Sequence, residues 1–280
     1  MIGRMPSEQR TTVNGRPTRY FEAGKGRPLV LLHAFPLSAE MWQPQLDRVP
    51  DGWRFIAPDL RGFGGGTREA DASLDPEADA SLDMDDYAGD VLGFMDALRI
   101  ETAVIGGLSM GGYITFAVFR HAPDRFAGVI LADTKAQADT ADGRAGRREM
   151  SEVVRTKGVS AMVDGLLPKL VGETTRRDRP QVLADARRLM EANQPGAIDA
   201  ALHALMTRPD STPDLVRIKC PALVIVGQED TVTPAADAEI LAGSIPGTEL
   251  VVLPRVGHLS NLEAPDDFSG VVTRFLARAF

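Results

Sequence analysis

The sequence predicts an α/β protein: a mostly parallel central sheet with helices on both faces and a helical segment inserted between two of its strands. Three observations lead there. Short, uniformly apolar runs such as Pro28-Leu29-Val30-Leu31-Leu32 and Ala222 to Val226 alternate with stretches of helical periodicity, the pattern of repeated strand–helix units. One such run, Ala103 to Leu108, passes through Gly107-Leu108-Ser109-Met110-Gly111 straight into a helix-compatible stretch, Tyr113 to Arg120. Lys135 to Ile218, finally, holds helical patterns but no β-rich run, so it cannot extend a sheet.

In chain order, Arg10–Val13 and Pro17–Glu22 flank Asn14-Gly15, residue types that accept the positive φ angles of a tight hairpin turn. Pro28–Leu32 is too short and too uniformly apolar for an exposed strand. It stops at His33-Ala34-Phe35-Pro36, after which Ser38 is placed to cap a helix through Leu46. Arg54–Pro58 is the next strand, and Asp59-Leu60-Arg61-Gly62-Phe63-Gly64 a turn-rich loop. Met84–Leu98 then reads as helix, Ala103–Leu108 as strand, Gly111–His121 as helix and Phe126–Ala132 as strand. The insert carries helical patterns over Arg147–Thr156, Val159–Val171, Pro180–Ala192 and Ala197–Met206. Strands at Ala222–Val226 and Glu249–Leu253 alternate with helices at Ala235–Ala242 and Pro265–Ala279. The expected organisation is a core of residues 1–134 and 219–280, with residues 135–218 as a helical cap over one end of the sheet. A tandem acidic segment, Glu69 to Asp75 and again Glu77 to Asp83, reads as a duplicated surface loop, far short of a solenoid.

Composition narrows the function. A net charge of -8 gives no electrostatic footprint for nucleic acid and argues against adsorption to anionic membranes. The single cysteine, Cys220, permits no intrachain disulfide and reads as a packing residue. Met1 to Thr12 has no apolar signal-peptide core, and no later segment is apolar for long enough to span a bilayer. The expectation is a cytoplasmic protein, a monomer or small homo-oligomer, with a small-molecule substrate. No His/Cys cluster has metal-ligand spacing, and neither a phosphate-binding nor a dinucleotide-binding glycine motif occurs, so no cofactor and no metal are expected.

The chemistry centres on Ser109. A strand that turns at once into a helix forces its middle residue into strained backbone geometry, and small neighbours are needed where chain passes close to chain. The serine oxygen is then held up at the carboxyl end of the strand, with the Met110 N–H at the helix start, where an anion is stabilised. A serine hydroxyl needs a base to take its proton and a third group to orient that base. Four histidines are available. His203 falls inside an insert helix, and His121 ends the helix after Ser109. His258, in Val256-Gly257-His258-Leu259 after the strand Glu249–Leu253, lies at the same sheet edge as Ser109. For the orienting carboxylate there are two candidates at strand ends, Asp230 and Asp133. The order Ser109, Asp230, His258 matches one known serine-hydrolase architecture and not the others.

Over nearly its whole length the chain resembles α/β-hydrolase-fold enzymes. The matching stretches are Leu31-Leu32-His33-Ala34-Phe35-Pro36, Asp59 to Gly64, Gly107 to Gly112, Gly227-Gln228-Glu229-Asp230 and Gly257-His258. Within that group it is most similar to carboxylesterases and 3-oxoadipate enol-lactonase-like hydrolases with a helical cap. The resemblance implies a Ser109–His258–Asp230 triad and an oxyanion hole made by the backbone N–H groups of Phe35 and Met110, with His33 a structural part of the loop. The chain departs from relatives at Ala34, where glycine is usual; a positive φ there would strain an alanine. Gly65 and Gly66 also stand where relatives often have a serine, which implies a looser loop. Met162, Leu166, Leu167, Leu170, Val171 and Met190 of the insert are candidates either for an acyl pocket or for plain core. The implied activity is hydrolysis of a small carboxylic ester. The alternatives are an enol-lactone hydrolase, a perhydrolase or haloperoxidase-like enzyme, a hydrolase of dienoate carbon–carbon bonds, and a non-turnover receptor that keeps the fold.

Overall fold

The computed structural model describes residues 6–64 and 81–280. The acidic repeat therefore lies outside the described residues up to its last three, Ser81-Leu82-Asp83, as do Gly65 and Gly66. Strands β1 (Ser7–Val13) and β2 (Arg16–Gly24) form the expected hairpin, with Asn14 at φ 51° and Gly15 at φ 81° in the turn. β2 runs antiparallel to β4 (Trp53–Pro58). From β4 onwards the sheet is parallel, through β3 (Arg27–Leu32), β5 (Ala103–Leu108), β6 (Phe126–Ala132), β7 (Ala222–Gly227) and β8 (Glu249–Leu253). The eight strands stand in the order β1-β2-β4-β3-β5-β6-β7-β8.

That order has a functional consequence. From β3 the chain moves to β4 on one side, and from β5 it moves to β6 on the other. The carboxyl ends of β3 and β5 therefore flank the point where strand order reverses, the place where open α/β sheets leave a crevice for ligands. The two stretches delivered there are His33-Ala34-Phe35-Pro36 and the Ser109 turn.

The outer helices follow the predicted spans closely. A 3₁₀ turn at Ala39–Trp42 leads into the short α1 (Gln43–Leu46); Ser38 precedes it without a side-chain capping bond. α2 (Met84–Ala97) opens with a reciprocal capping box between Asp83 and Asp86, and α3 (Met110–His121) follows β5 directly. Between β6 and β7 stand α4 (Ala141–Lys157), α5 (Val159–Leu170), α6 (Glu173–Asp178), α7 (Pro180–Glu191) and α8 (Pro195–Thr207). α9 (Ala235–Ser244), the short α10 (Ser260–Glu263) and α11 (Pro265–Ala279) complete the chain.

Within the insert, two helices differ from expectation. α4 starts at Ala141 rather than Arg147, because the Thr140 hydroxyl accepts from the Gly143 N–H (3.1 Å) and supplies a cap that offsets Gly143 and Gly146. α6 is a single polar turn and a half, with no apolar stripe to announce it. One contiguous hydrophobic cluster joins sheet residues such as Ile105, Leu131 and Val224 to insert residues such as Val163, Leu167, Met190 and Leu202. Met162, Leu167, Leu170, Val171 and Met190 are buried members of it, and Leu166 packs against it half-buried.

Candidate active site

Ser109 sits between β5 and α3 at φ 55° and ψ -112°, outside the regions a side chain ordinarily tolerates. The surroundings hold it there. Its N–H donates to the Ala132 carbonyl (3.0 Å), and its carbonyl accepts from the Gly112 N–H (2.9 Å) and the Thr134 hydroxyl (2.9 Å). The glycines of the turn are a packing requirement. A Cβ on Gly107 would stand 2.1 Å from the Gly111 carbonyl, and one on Gly111 would stand 2.2 Å from the Leu32 carbonyl oxygen.

His258 Nε2 lies 2.9 Å from Ser109 Oγ, and His258 Nδ1 lies 2.7 Å from Asp230 Oδ2. Asp230 is saturated. Its Oδ1 accepts from the N–H groups of Val232 (2.8 Å) and Thr233 (3.0 Å), and its Oδ2 also accepts from the Thr233 hydroxyl (2.7 Å). Burial opposes the Asp230 charge, but the adjacent imidazole and these donors outweigh it and hold the carboxyl below the usual range. An ionised Asp230 requires the proton on Nδ1, which leaves Nε2 to accept from the serine. His258 is 1% exposed, Asp230 5% and Ser109 9%, so only the serine end of the series approaches solvent.

The other carboxylate candidate is differently employed. Asp133 is completely buried at the end of β6, where its Oδ1 accepts from the Gly227 N–H (2.8 Å) and its Oδ2 from the Ser260 hydroxyl. Burial and the nearby Asp230 charge push its carboxyl well up. The structure brings Asp230, not Asp133, to the imidazole. Asp133 instead bridges the β7 end and the segment after His258.

Phe35 and Met110 lie on the two stretches that meet at the strand-order reversal, and among the described residues neither N–H has a protein acceptor. Ala34 keeps a negative φ and so escapes the strain an alanine would carry in the left-handed region. His33 is fully buried; its Nε2 accepts from the Leu60 N–H (3.0 Å), so its Nδ1 donates to the Ala34 carbonyl (3.0 Å). Burial pushes its pKa down to about 4, which fits a neutral ring locked into the loop. His203 Nδ1 bonds the Leu82 carbonyl (3.1 Å), and His121 pairs with Asp85 at the surface (3.1 Å).

Several participants carry no signal in the sequence. Glu263 is buried with no cationic partner among the described residues, and its carboxylate accepts from the N–H groups of Gly172 (2.9 Å), Gly257 (3.1 Å) and Leu259 (3.1 Å). It therefore grips both sides of His258 and the insert at once. Gly172 and Gly257 cross so tightly that a Cβ on Gly257 would stand 2.1 Å from the Gly172 nitrogen. Asp139 receives Arg147 (2.5 Å) and Arg208 (2.7 Å), and Arg208 lies over the Tyr113 ring at 4.2 Å, which anchors the start of the insert to α3. Among the described residues no cluster of His, Cys, Asp and Glu is placed to hold a metal ion, and no helix is long and apolar enough to cross a membrane.

The chain is similar to known proteins along most of its length. A 3-oxoadipate enol-lactonase from Acinetobacter baylyi is 29% identical over 89% of this chain and 88% of its own. A thermophilic esterase from Thermogutta terrifontis, whose structure has malate bound, superposes with a TM-score of 0.87 at 33% identity, covering 98% of this chain and 99% of that one. The enol-lactonase from Burkholderia xenovorans LB400 superposes with a TM-score of 0.85 at 30% identity, covering 96% of this chain and all of that one. Residues 29–271 match the alpha/beta hydrolase family throughout, and with an eight-stranded, mostly parallel sheet flanked by helices the chain belongs to that family.

Proposed function

We propose that the protein is a serine hydrolase that cleaves small carboxylic esters, with Ser109 as nucleophile, His258 as general base and Asp230 as the carboxylate that orients it. The observation that carries this reading is the unbroken series from Ser109 Oγ to His258 Nε2 (2.9 Å) and from His258 Nδ1 to Asp230 (2.7 Å). As Ser109 Oγ bonds to the substrate carbonyl carbon, its proton passes to His258 Nε2. The developing oxyanion is received by the Phe35 and Met110 N–H groups, and the imidazolium is stabilised by Asp230. Collapse expels the alcohol, which takes the proton from His258 and leaves an acyl-enzyme. A water activated by the same imidazole then releases the acid. The insert, residues 135–218, serves as the cap over this site. The enol-lactonase relatives favour a lactone as second substrate class, since the same steps open a ring instead of splitting off an alcohol.

Replacing Ser109 by alanine is expected to abolish turnover of p-nitrophenyl acetate and labelling by a fluorophosphonate, with the melting temperature preserved. Retained turnover overturns the assignment. A panel of esters graded by acyl length, with an enol-lactone included, separates the two substrate classes.

A further inference from the structure

We infer that Asn193, at the joint between α7 and α8, is a positioning residue for the oxyanion donor at Phe35, so that the seating of the insert governs the oxyanion hole. This rests on the reading of Phe35 and Ser109 proposed above. Asn193 is 4% exposed. Its amide nitrogen donates to the Pro36 carbonyl (2.8 Å) and the Leu189 carbonyl (3.0 Å), with longer approaches to Leu37 and Met190 at 3.5 Å. Its Oδ1 accepts from the Gly64 N–H (3.0 Å). Two carbonyls on one side and an N–H on the other fix which end of the amide is which.

The three partners belong to three different parts of the molecule. Leu189 is in the insert, Pro36 directly follows the candidate oxyanion donor, and Gly64 lies in the loop after β4. That loop is itself pressed on the donor: the Phe63 ring meets Phe35 edge-on at 6.4 Å and His33 at 5.2 Å. Gly62 adds close contact with α8, since a Cβ there would stand 2.7 Å from that of Ala197. A buried amide with both N–H groups committed is a directional tie, because each lost bond leaves a buried carbonyl without its donor. The Pro36 carbonyl shares its peptide with the Leu37 N–H, which donates to the Ala34 carbonyl (2.9 Å) on the peptide that carries the Phe35 N–H. Displacing it therefore disturbs that donor, and oxyanion donors act only when aimed to within a fraction of an ångström.

Asn193→Asp tests this with almost no change of shape. One carboxylate oxygen still accepts from Gly64, while the other confronts the Pro36 and Leu189 carbonyl oxygens. The readouts are kcat and KM on p-nitrophenyl acetate, normalised to sites titrated by a fluorophosphonate, and the affinity for an aryl trifluoromethyl ketone. The hemiketal oxyanion of that ketone needs the same two N–H groups. We expect kcat to fall about 10- to 100-fold with KM within about threefold, and ketone affinity to fall in parallel. Asn193→Ala, which removes the ties without repulsion, should move in the same direction by less. Arg188→Ala, which cuts an exposed ion pair to Glu40 (3.2 Å) on the same contact, should stay near wild type. Unchanged kcat in Asn193→Asp, or lowered kcat with unchanged ketone affinity, overturns the inference. So does failure of both Asn193 variants to give folded protein by circular dichroism and thermal denaturation, which would assign the residue to folding. If Ser109→Ala retains turnover the serine-hydrolase reading itself falls; if Ser109→Ala is dead and the Asn193 variants are normal, this inference alone falls.

Discussion

Two aspartates stand at neighbouring strand ends, and their bonds separate their roles. Asp230 meets His258 Nδ1, so Asp230→Asn is expected to favour the wrong tautomer and to lower kcat by about 10⁴-fold. Asp133→Asn keeps an acceptor for the Gly227 N–H and a polar partner for Ser260, and its kcat should stay within about tenfold of wild type. Steady-state rates of the two purified variants decide the matter; the reverse order would make Asp133 the orienting acid. His33 offers a test that is independent of activity. Its folded pKa of about 4 lies below the ordinary 6.5, so between those values the unfolded chain binds more protons and stability falls as pH drops through that window. The full effect is roughly 3 kcal/mol. Asp59, pushed up to about 6 by burial although Arg19 pulls it down, contributes a slope of opposite sign over much of the same range. His33→Gln should therefore remove the acid loss and leave stability flat or rising toward pH 4, as read from urea unfolding at a series of pH values.

Among the elements, the crossing of Val171-Gly172 over Gly257 leaves no room for a side chain. Neither glycine needs an unusual φ; what each lacks is room for a Cβ. Gly257→Ala is expected to cost about 1–3 kcal/mol or more of stability, by forcing two backbones apart. It should also lower kcat, because the displaced segment carries His258; Gly243→Ala, which meets open space, is the matched control for thermal denaturation and rates. This crossing is also where reading the sequence stops. The strands and the Ser109 turn were legible because uniform apolar runs and a glycine-flanked serine are local patterns. Chain order and strand-end placement pointed to Ser109 and His258 for the proposed triad, but left Asp133 beside Asp230 as the carboxylate, with the family resemblance favouring Asp230. Glu263, Asn193 and Thr233 were not legible, because a lone polar residue on a short helix or loop has the same local sequence whether it faces water or a buried N–H. Only tertiary contacts distinguish those cases, and one sequence holds no record of them. Helix α4 shows the same limit at its start, where the Thr140 cap carries the helix through Gly143 and Gly146 ahead of the helical pattern that begins at Arg147.

At the scale of the whole molecule, the insert is packed into the core and not merely laid upon it. Val163, Leu167, Leu170 and Met190 join the same contiguous hydrophobic cluster as β5, β6 and β7. Equilibrium unfolding is therefore expected to show one transition for insert and sheet together, with α5 amides exchanging hydrogen about as slowly as those of β5. Exchange in α5 faster by orders of magnitude, or a separate early transition, would show instead an insert that opens on its own. The insert nevertheless leaves from the carboxyl end of β6 and returns to the amino end of its parallel neighbour β7, a crossover that a different helical segment of sufficient length could also make. The Gly172 crossing limits that freedom. A substitute segment must bring a residue without a side chain past Gly257 and present an N–H to Glu263. A transplanted segment lacking either would leave the serine in place yet misplace the histidine beside it: compatibility between a new segment and the sheet turns on the one glycine that passes Gly257.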